Sequence, residues 1–232
     1  MGIGPGGSAS GLLGRADGDP GAGRRRLTGG PAFAGSLGAV PVLRDVRAVL
    51  SVGTPHPCAV PPGYELIRVR GDAPPELIGG IAAVHEGMAD APLGNAAWSH
   101  QRYDADRVAA VDAMLAARGS VQLRVLALDR DSGEVAGITY VIISPRSPAR
   151  SEQGDTTVLR AHRGHGLGLA LKTDMLRWLT AEHPEVRELN TWTAEDNAPM
   201  RRVNAALGYR EVGRWEEWQA DVADLAAHFV LT

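Results

Sequence analysis

Lysine is almost missing from this chain of 232 residues: of its 24 basic side chains, only Lys172 is a lysine and the rest are arginine. The arginines are scattered and interleaved with acids. Together with abundant Ala and Gly, that bias is the mark of a G- and C-rich genome, not of a phosphate-binding surface. Cysteine is equally scarce. Cys58 stands alone, which excludes an intrachain disulfide and a thiolate zinc cluster and makes a reduced, cytoplasmic setting the simplest home. No stretch approaches the roughly 18 continuous apolar residues that a membrane-spanning helix needs, so no membrane partner is expected. A net charge of −3 gives no general attraction for nucleic acid. What is present is an apolar share of 44%, enough for a proper core. The length allows one domain of ordinary size with a tail, or two very small domains.

Residues 1–61 differ from the rest. The stretch 1–41 is dense in Gly, Pro, Ser and Arg and has neither a helical nor a strand period, so a mostly disordered tail is expected over 1–61. Arg24, Arg25 and Arg26 before a mildly apolar run resemble an export signal, but glycines and prolines break that run. The segment is too short for a second complete domain, and a genuine tail, a domain remnant and a misplaced start all stay open for it. The folded domain is placed at 62–232. An alternating strand is predicted over 64–70 after the turn Pro61, Pro62, Gly63, followed by helices over 75–88 and 104–118. Strand-like runs at 121–128 and 135–143 flank the turn residues 129–133 and form a hairpin. A short strand at 155–159, a glycine loop, a helix over 166–182, a strand at 186–193, a short helix at 199–207 and a strand-like stretch at 209–218 complete an α+β chain with no internal repeat.

The loop after residue 159 carries the chemistry. Gly164, Gly166 and Gly168 let an anion approach the main chain without Cβ obstruction, and the helix they open points its positive end at the visitor. A phosphate or pyrophosphate suits such a loop, with Arg163 adding charge at its rim. The dinucleotide fingerprint fails here, because Leu169 or Leu171 stands where a small third residue belongs. A P-loop fails too: Lys172 and Thr173 are in place, but position 171 is Leu and not Gly.

Arg163-x-x-Gly166-x-Gly168, with Val158 five residues ahead, matches the R/Q-x-x-G-x-G/A loop of the GNAT superfamily of N-acetyltransferases. The segment from Asn197 to Tyr209 is similar to a later motif of that family, and the resemblance covers about residues 64–222. It implies the GNAT fold, a mixed and mostly antiparallel sheet flanked by helices, and acetyl-CoA as co-substrate with no metal. By position, the amides of Gly164, His165, Gly166, Leu167, Gly168 and Leu169 would cradle the pyrophosphate. The main chain at Val158 would pair with the pantetheine arm like an added strand. Asn197 would hydrogen-bond that arm, and Tyr209 would pack beside the cofactor.

The resemblance also implies direct attack of a neutral amine on the thioester in a ternary complex. In the family a tyrosine often protonates the departing thiolate, and that position here is Asn204. An amide is no general acid, although it can donate a hydrogen bond to sulfur; Tyr209 or a water could stand in. Asp155 and Glu152 are the candidate bases. Asp90, His100 and Tyr103 fall where the family walls its acceptor pocket, but each reads more readily as a surface or packing residue than as a substrate contact. His162 and His165 lack a third metal ligand and are expected on the loop surface. Trp178 and Trp192 are expected in the core, and Glu195 and Asp196 in a solvated turn. The acceptor would be a small-molecule or peptide amine and the protein a monomer or homodimer. The rival functions are a catalytically silent CoA-binding or interaction module and a nucleotide-binding protein.

Overall fold

A computed structural model describes residues 29–55, 57–87, 102–222 and 225. Its centre is a seven-stranded sheet in the order β2-β3-β4-β5-β6-β1-β7. The elements run α1 (Gly30–Ser36), β1 (Val40–Ser51), β2 (Tyr64–Arg70), α2 (Pro75–Glu86), α3 (Ala105–Ala117), β3 (Val121–Asp129), β4 (Val135–Ile143), β5 (Arg150–Val158), α4 (Leu167–Glu182), β6 (Glu188–Ala194), α5 (Ala198–Ala206) and β7 (Arg210–Gln219). Neighbouring strands are antiparallel except β5 and β6, which run parallel.

Helices cover both faces of the sheet around β3 and β4, which explains why these strands read as apolar runs. Along β3, Leu123, Val125 and Ala127 meet the α4 side with Leu167, Leu171, Met175 and Leu179. Leu126 between them turns to the other face, where Ile81 and Val84 of α2 and Val108 of α3 pack with Ile138. A buried ion pair joins Arg124 of β3 to Asp112 of α3. The Arg124 guanidinium also donates to Gly71 O at 2.7 Å and Gln122 Oε1 at 2.8 Å, and Asp112 Oδ2 accepts from Ala73 N at 2.9 Å. The pair thereby fixes α3 and the turn after β2 against the sheet.

The α+β fold expected from the sequence is the one observed, but the boundary at residue 61 is not. Val40–Ser51 is no tail: it lies inside the sheet, bonded to β6 on one side and β7 on the other. Val46, Ala48, Val49 and Leu50 are buried there. Pro41 at the strand's start and the charged Arg44, Asp45 and Arg47 hid its period-2 stripe of Val46, Ala48 and Leu50. The disorder expected for 1–28 falls outside the described residues. β5 also begins earlier than expected, at Arg150. Its first half is polar, yet Gln153 is buried and donates to Thr139 Oγ1 at 2.9 Å and to Tyr140 O at 2.7 Å.

Candidate active site

The two parallel strands do not stay together. β5 and β6 pair only at Arg150↔Glu188, Ser151↔Leu189 and Glu152↔Asn190. Beyond that, β5 follows β4 as far as Val158↔Gly137, while β6 follows β1 as far as Ala194↔Asp45. A crevice therefore opens at the carboxyl ends of two parallel strands, the place where α/β sheets bind ligands. Its β5 edge past Glu152 pairs with no strand among the described residues and offers backbone groups to an extended visitor. A bulge marks the parting: Gly154 and Asp155 of β5 stand against the single Tyr140 of β4. Glycine is required at 154, because a Cβ there would sit inside the Tyr140 ring.

The glycine loop lies at the end of this edge. Gly164 (φ 85°) and Gly166 (φ 81°) are both left-handed, and Gly166 is the N-cap of α4. No side chain caps that helix. The amides of residues 164–169 donate to no backbone carbonyl among the described residues, so they stand ready for an anion. A Cβ built on Gly164, Gly166 or Gly168 meets nothing within 4 Å, so the space before the loop is open. Leu167 contributes only its amide, since its side chain is buried in the core; Leu169 is half-buried. Arg163 reaches back, its Nε donating to Val158 O at 2.9 Å. His165 is exposed as expected. His162 is not a surface residue: its ring bridges the Tyr64 hydroxyl at 2.9 Å and Glu134 Oε2 at 3.2 Å. It pins the loop to β2 and to the β3–β4 turn, contacts between residues too distant in sequence to be foreseen.

On the β5 wall, Asp155 is half-buried past the point of separation. Burial raises its pKa, and a hydrogen bond from the Tyr140 hydroxyl to Oδ2 at 3.3 Å restrains the rise. Burial likewise pushes the Tyr140 and Tyr103 hydroxyls up. His85 stacks on Tyr103 with ring centroids 4.4 Å apart and is lowered to about 4, by burial first and then by the Arg124 charge. Asp155, Tyr140, Tyr103 and His85 thus form one aromatic-rimmed cluster, and His85 is a member that the sequence did not single out. Glu152 is exposed and still within the paired stretch. Asp90 and His100 lie outside the described residues.

The β6 wall carries α5. Asn197 caps that helix, its Oδ1 accepting from Met200 N at 3.2 Å. Asn204 is buried and held on both sides: Oδ1 accepts from Lys172 Nζ at 2.7 Å, and Nδ2 donates to Thr193 Oγ1 at 3.1 Å. Tyr209 is buried with its hydroxyl lacking a partner among the described residues, and burial pushes its pKa up. Lys172 was missed as a site residue. The signal was there, because Met175, Leu176 and Leu179 follow it at i+3, i+4 and i+7, placing the lysine in an apolar stripe. Trp178 is core as expected, whereas Trp192 is half-buried with the Arg47 guanidinium 5.7 Å from its ring centroid. Glu195 is bonded to Arg214 at 2.6 Å, and Asp196 is exposed. A broad depression of about 430 Å³ lies beside them, bounded by residues 41–44; its carboxylates are Glu195, held by Arg214, and the exposed Asp196.

A mixed sheet whose parallel strands part over a glycine-opened helix is the framework of an acyltransferase. The sequence model of the acetyltransferase (GNAT) family matches residues 85–209, and the chain belongs to that family. Among solved structures, a tandem GNAT protein from the clavulanic acid biosynthesis pathway, determined without AcCoA, is 30% identical with a TM-score of 0.67. That match covers 87% of this chain and 60% of the other. A GCN5-related N-acetyltransferase from Sphaerobacter thermophilus is 18% identical with a TM-score of 0.58, covering 80% of this chain and 54% of that one. A GCN5-related N-acetyltransferase from Kribbella flavida is also 18% identical, with a TM-score of 0.53 over 85% of this chain and 66% of its own. The chain therefore spans less than two thirds of the first two proteins' length. Among curated proteins, none matches it.

Proposed function

We propose that the protein is an acyl-CoA-dependent N-acyltransferase that moves an acetyl group from acetyl-CoA to an amine by direct attack in a ternary complex. The observation that carries this is the continuity of the open β5 edge with the uncapped glycine turn of α4. One element offers strand-like pairing to an extended arm and the next offers free amides to a pyrophosphate. The thioester supplies an activated acyl carbon. Amides of residues 164–169 hold the pyrophosphate, with Arg163 at the rim, and the β5 edge leading to Val158 aligns the arm. Asn197 Oδ1 is committed to its cap, which leaves its amide NH₂ for the arm. Asp155 takes the proton of the incoming amine. Its raised pKa suits a base working nearer neutrality than an ordinary carboxylate. Tyr140, Tyr103 and His85 shape the acceptor side. The carboxylate and aromatic rings together favour a protonated amine on approach.

Thermal shift tests the reading. Acetyl-CoA is expected to raise the melting temperature, while NAD and ATP leave it unchanged. Gly166→Val is expected to abolish the shift, since a branched residue is strained at φ 81° and intrudes on the anion's space. A folded Gly166→Val protein that binds CoA normally would show that the loop is not the site. Thiol release from acetyl-CoA across a panel of amines then separates an enzyme from a silent CoA-binding module.

A further inference from the structure

Lys172 is the chain's single lysine and is only 2% exposed. Its Nζ contacts are Asn204 Oδ1 at 2.7 Å and the Tyr209 ring, whose centroid lies at 4.6 Å. Among the described residues no carboxylate pairs with it, and burial alone lowers it, to about 7. Three charged side chains on the surrounding elements are engaged elsewhere. Asp174 on α4 binds Arg68, Arg201 on α5 binds Glu211 of β7, and Glu195 after β6 binds Arg214. An ammonium kept inside without a counter-charge is costly, and an apolar side chain would complete the α4 stripe without that cost.

The position of the bond gives the lysine a use. α4 follows β5 and α5 follows β6, so the Lys172–Asn204 bond joins the two walls of the crevice. Lys172 is the sixth residue of α4. It lies about 9 Å along the axis from the glycine turn at Gly166, inward from the anion loop. The bond also has a direction: the ammonium donates to the amide oxygen, and the amide NH₂ donates one hydrogen to Thr193. A positive charge behind Asn204 strengthens its remaining N–H as a donor.

We propose that Lys172 is a positioning residue for acyl transfer, a buried cation whose counter-anion is the thiolate released at the inner end of the crevice. The proposal rests on the acyl-CoA reading above. In the step, the amine lone pair forms the N–C bond and the amine proton passes to Asp155. The C–S bond breaks with its electron pair remaining on sulfur. Lys172 transfers no atom; its charge, conveyed through Asn204, offsets the new charge on the thiolate.

Because the chain has one lysine, protein grown with ¹³C- and ¹⁵N-labelled lysine gives a single ammonium signal. Its pH titration is followed in the full chain alone, with acetyl-CoA and with CoA thiol. CoA is expected to raise the Lys172 midpoint by about one unit or more, because a thiolate and an ammonium stabilise each other reciprocally. Acetyl-CoA carries the same phosphates but no charge on sulfur, and is expected to leave the midpoint near that of the free protein. Lys172→Gln keeps a donor to Asn204 without the charge. It is expected to lower kcat by roughly 10- to 100-fold with the KM for acetyl-CoA unchanged, and to remove the fall in kcat as pH rises past about 7. Equal midpoints with CoA and acetyl-CoA, in a protein that binds both, overturn the proposal and leave the acyl-CoA reading standing. A chain that binds neither by thermal shift loses both. A Lys172→Gln protein with wild-type kcat and pH profile also overturns the proposal.

Discussion

Asp155 stands against Tyr140 at the one place where β5 carries a residue more than β4, with the tyrosine hydroxyl donating to its Oδ2 at 3.3 Å. The bulge that parts β5 from β6 thus also sets the carboxylate on an aromatic wall. Replacing Asp155 by Asn is expected to lower kcat by about 10²–10⁴-fold with the affinity for acetyl-CoA retained. Stopped-flow measurement of thiol release checks this, and an unimpaired Asp155→Asn enzyme would place the base elsewhere.

Tyr140→Phe tests the coupling. The hydroxyl favours the ionised carboxylate, so its loss raises the Asp155 pKa further. The acid limb of kcat/KM is expected to move to higher pH in the variant. A limb that stays put, or moves down, would separate Asp155 from the titrating base.

His85 ties stability to pH. Its folded pKa, about 4, lies below its ordinary value, so the unfolded chain binds the extra proton first as pH falls. Stability is therefore full above about 6.5 and declines as pH drops towards 4, by on the order of 3 kcal/mol. Urea unfolding across this window is expected to show a flatter profile in His85→Phe than in the wild type.

Asp112→Ala removes one partner of the buried pair with Arg124 and strips Ala73 N of its acceptor. A loss of roughly 3–5 kcal/mol is expected, because a guanidinium is left uncompensated in the interior. Chemical denaturation measures it, and a loss below about 1 kcal/mol would mean that water reaches Arg124.

Removing residues 1–51 deletes β1 and leaves β6 and β7 without the strand that joins them. The truncated chain is expected to be insoluble, as two sheet edges and the Val46, Ala48 and Leu50 side of the core become exposed. A truncated protein that folds and melts like the full chain would show that β1 is dispensable.

Where the sequence was legible, local chemistry set the structure. Gly164, Gly166 and the apolar stripe of α4 announce a turn and a helix on their own, and 129–133 announces a hairpin. The features that escaped depend on distant partners. β1 is recognisable only beside β6 and β7, because Pro41 and its charged residues mask a strand that is buried only in its second half. His162 looks like loop surface until Tyr64 and Glu134 arrive at its ring. Lys172 looks like part of an incomplete phosphate motif until α5 brings Asn204 to it. Asp155 could be named in advance, but the bulge that exposes it depends on a register with β4 that no local pattern encodes.

The place of β1 has a consequence for the order of assembly. β2 through β5 form an antiparallel meander between neighbours in sequence, and it can zip up while the chain is still emerging. β1 is made before all of them, yet its partners are β6 and β7; Arg47 meets Asn190 only after 143 further residues. During that interval β1 is expected to lack both of its sheet partners and to leave its apolar side chains uncovered, a kind of state prone to association. The glycine-loop half of the molecule can therefore mature first, and closing the crevice's second wall is expected to come late in its folding.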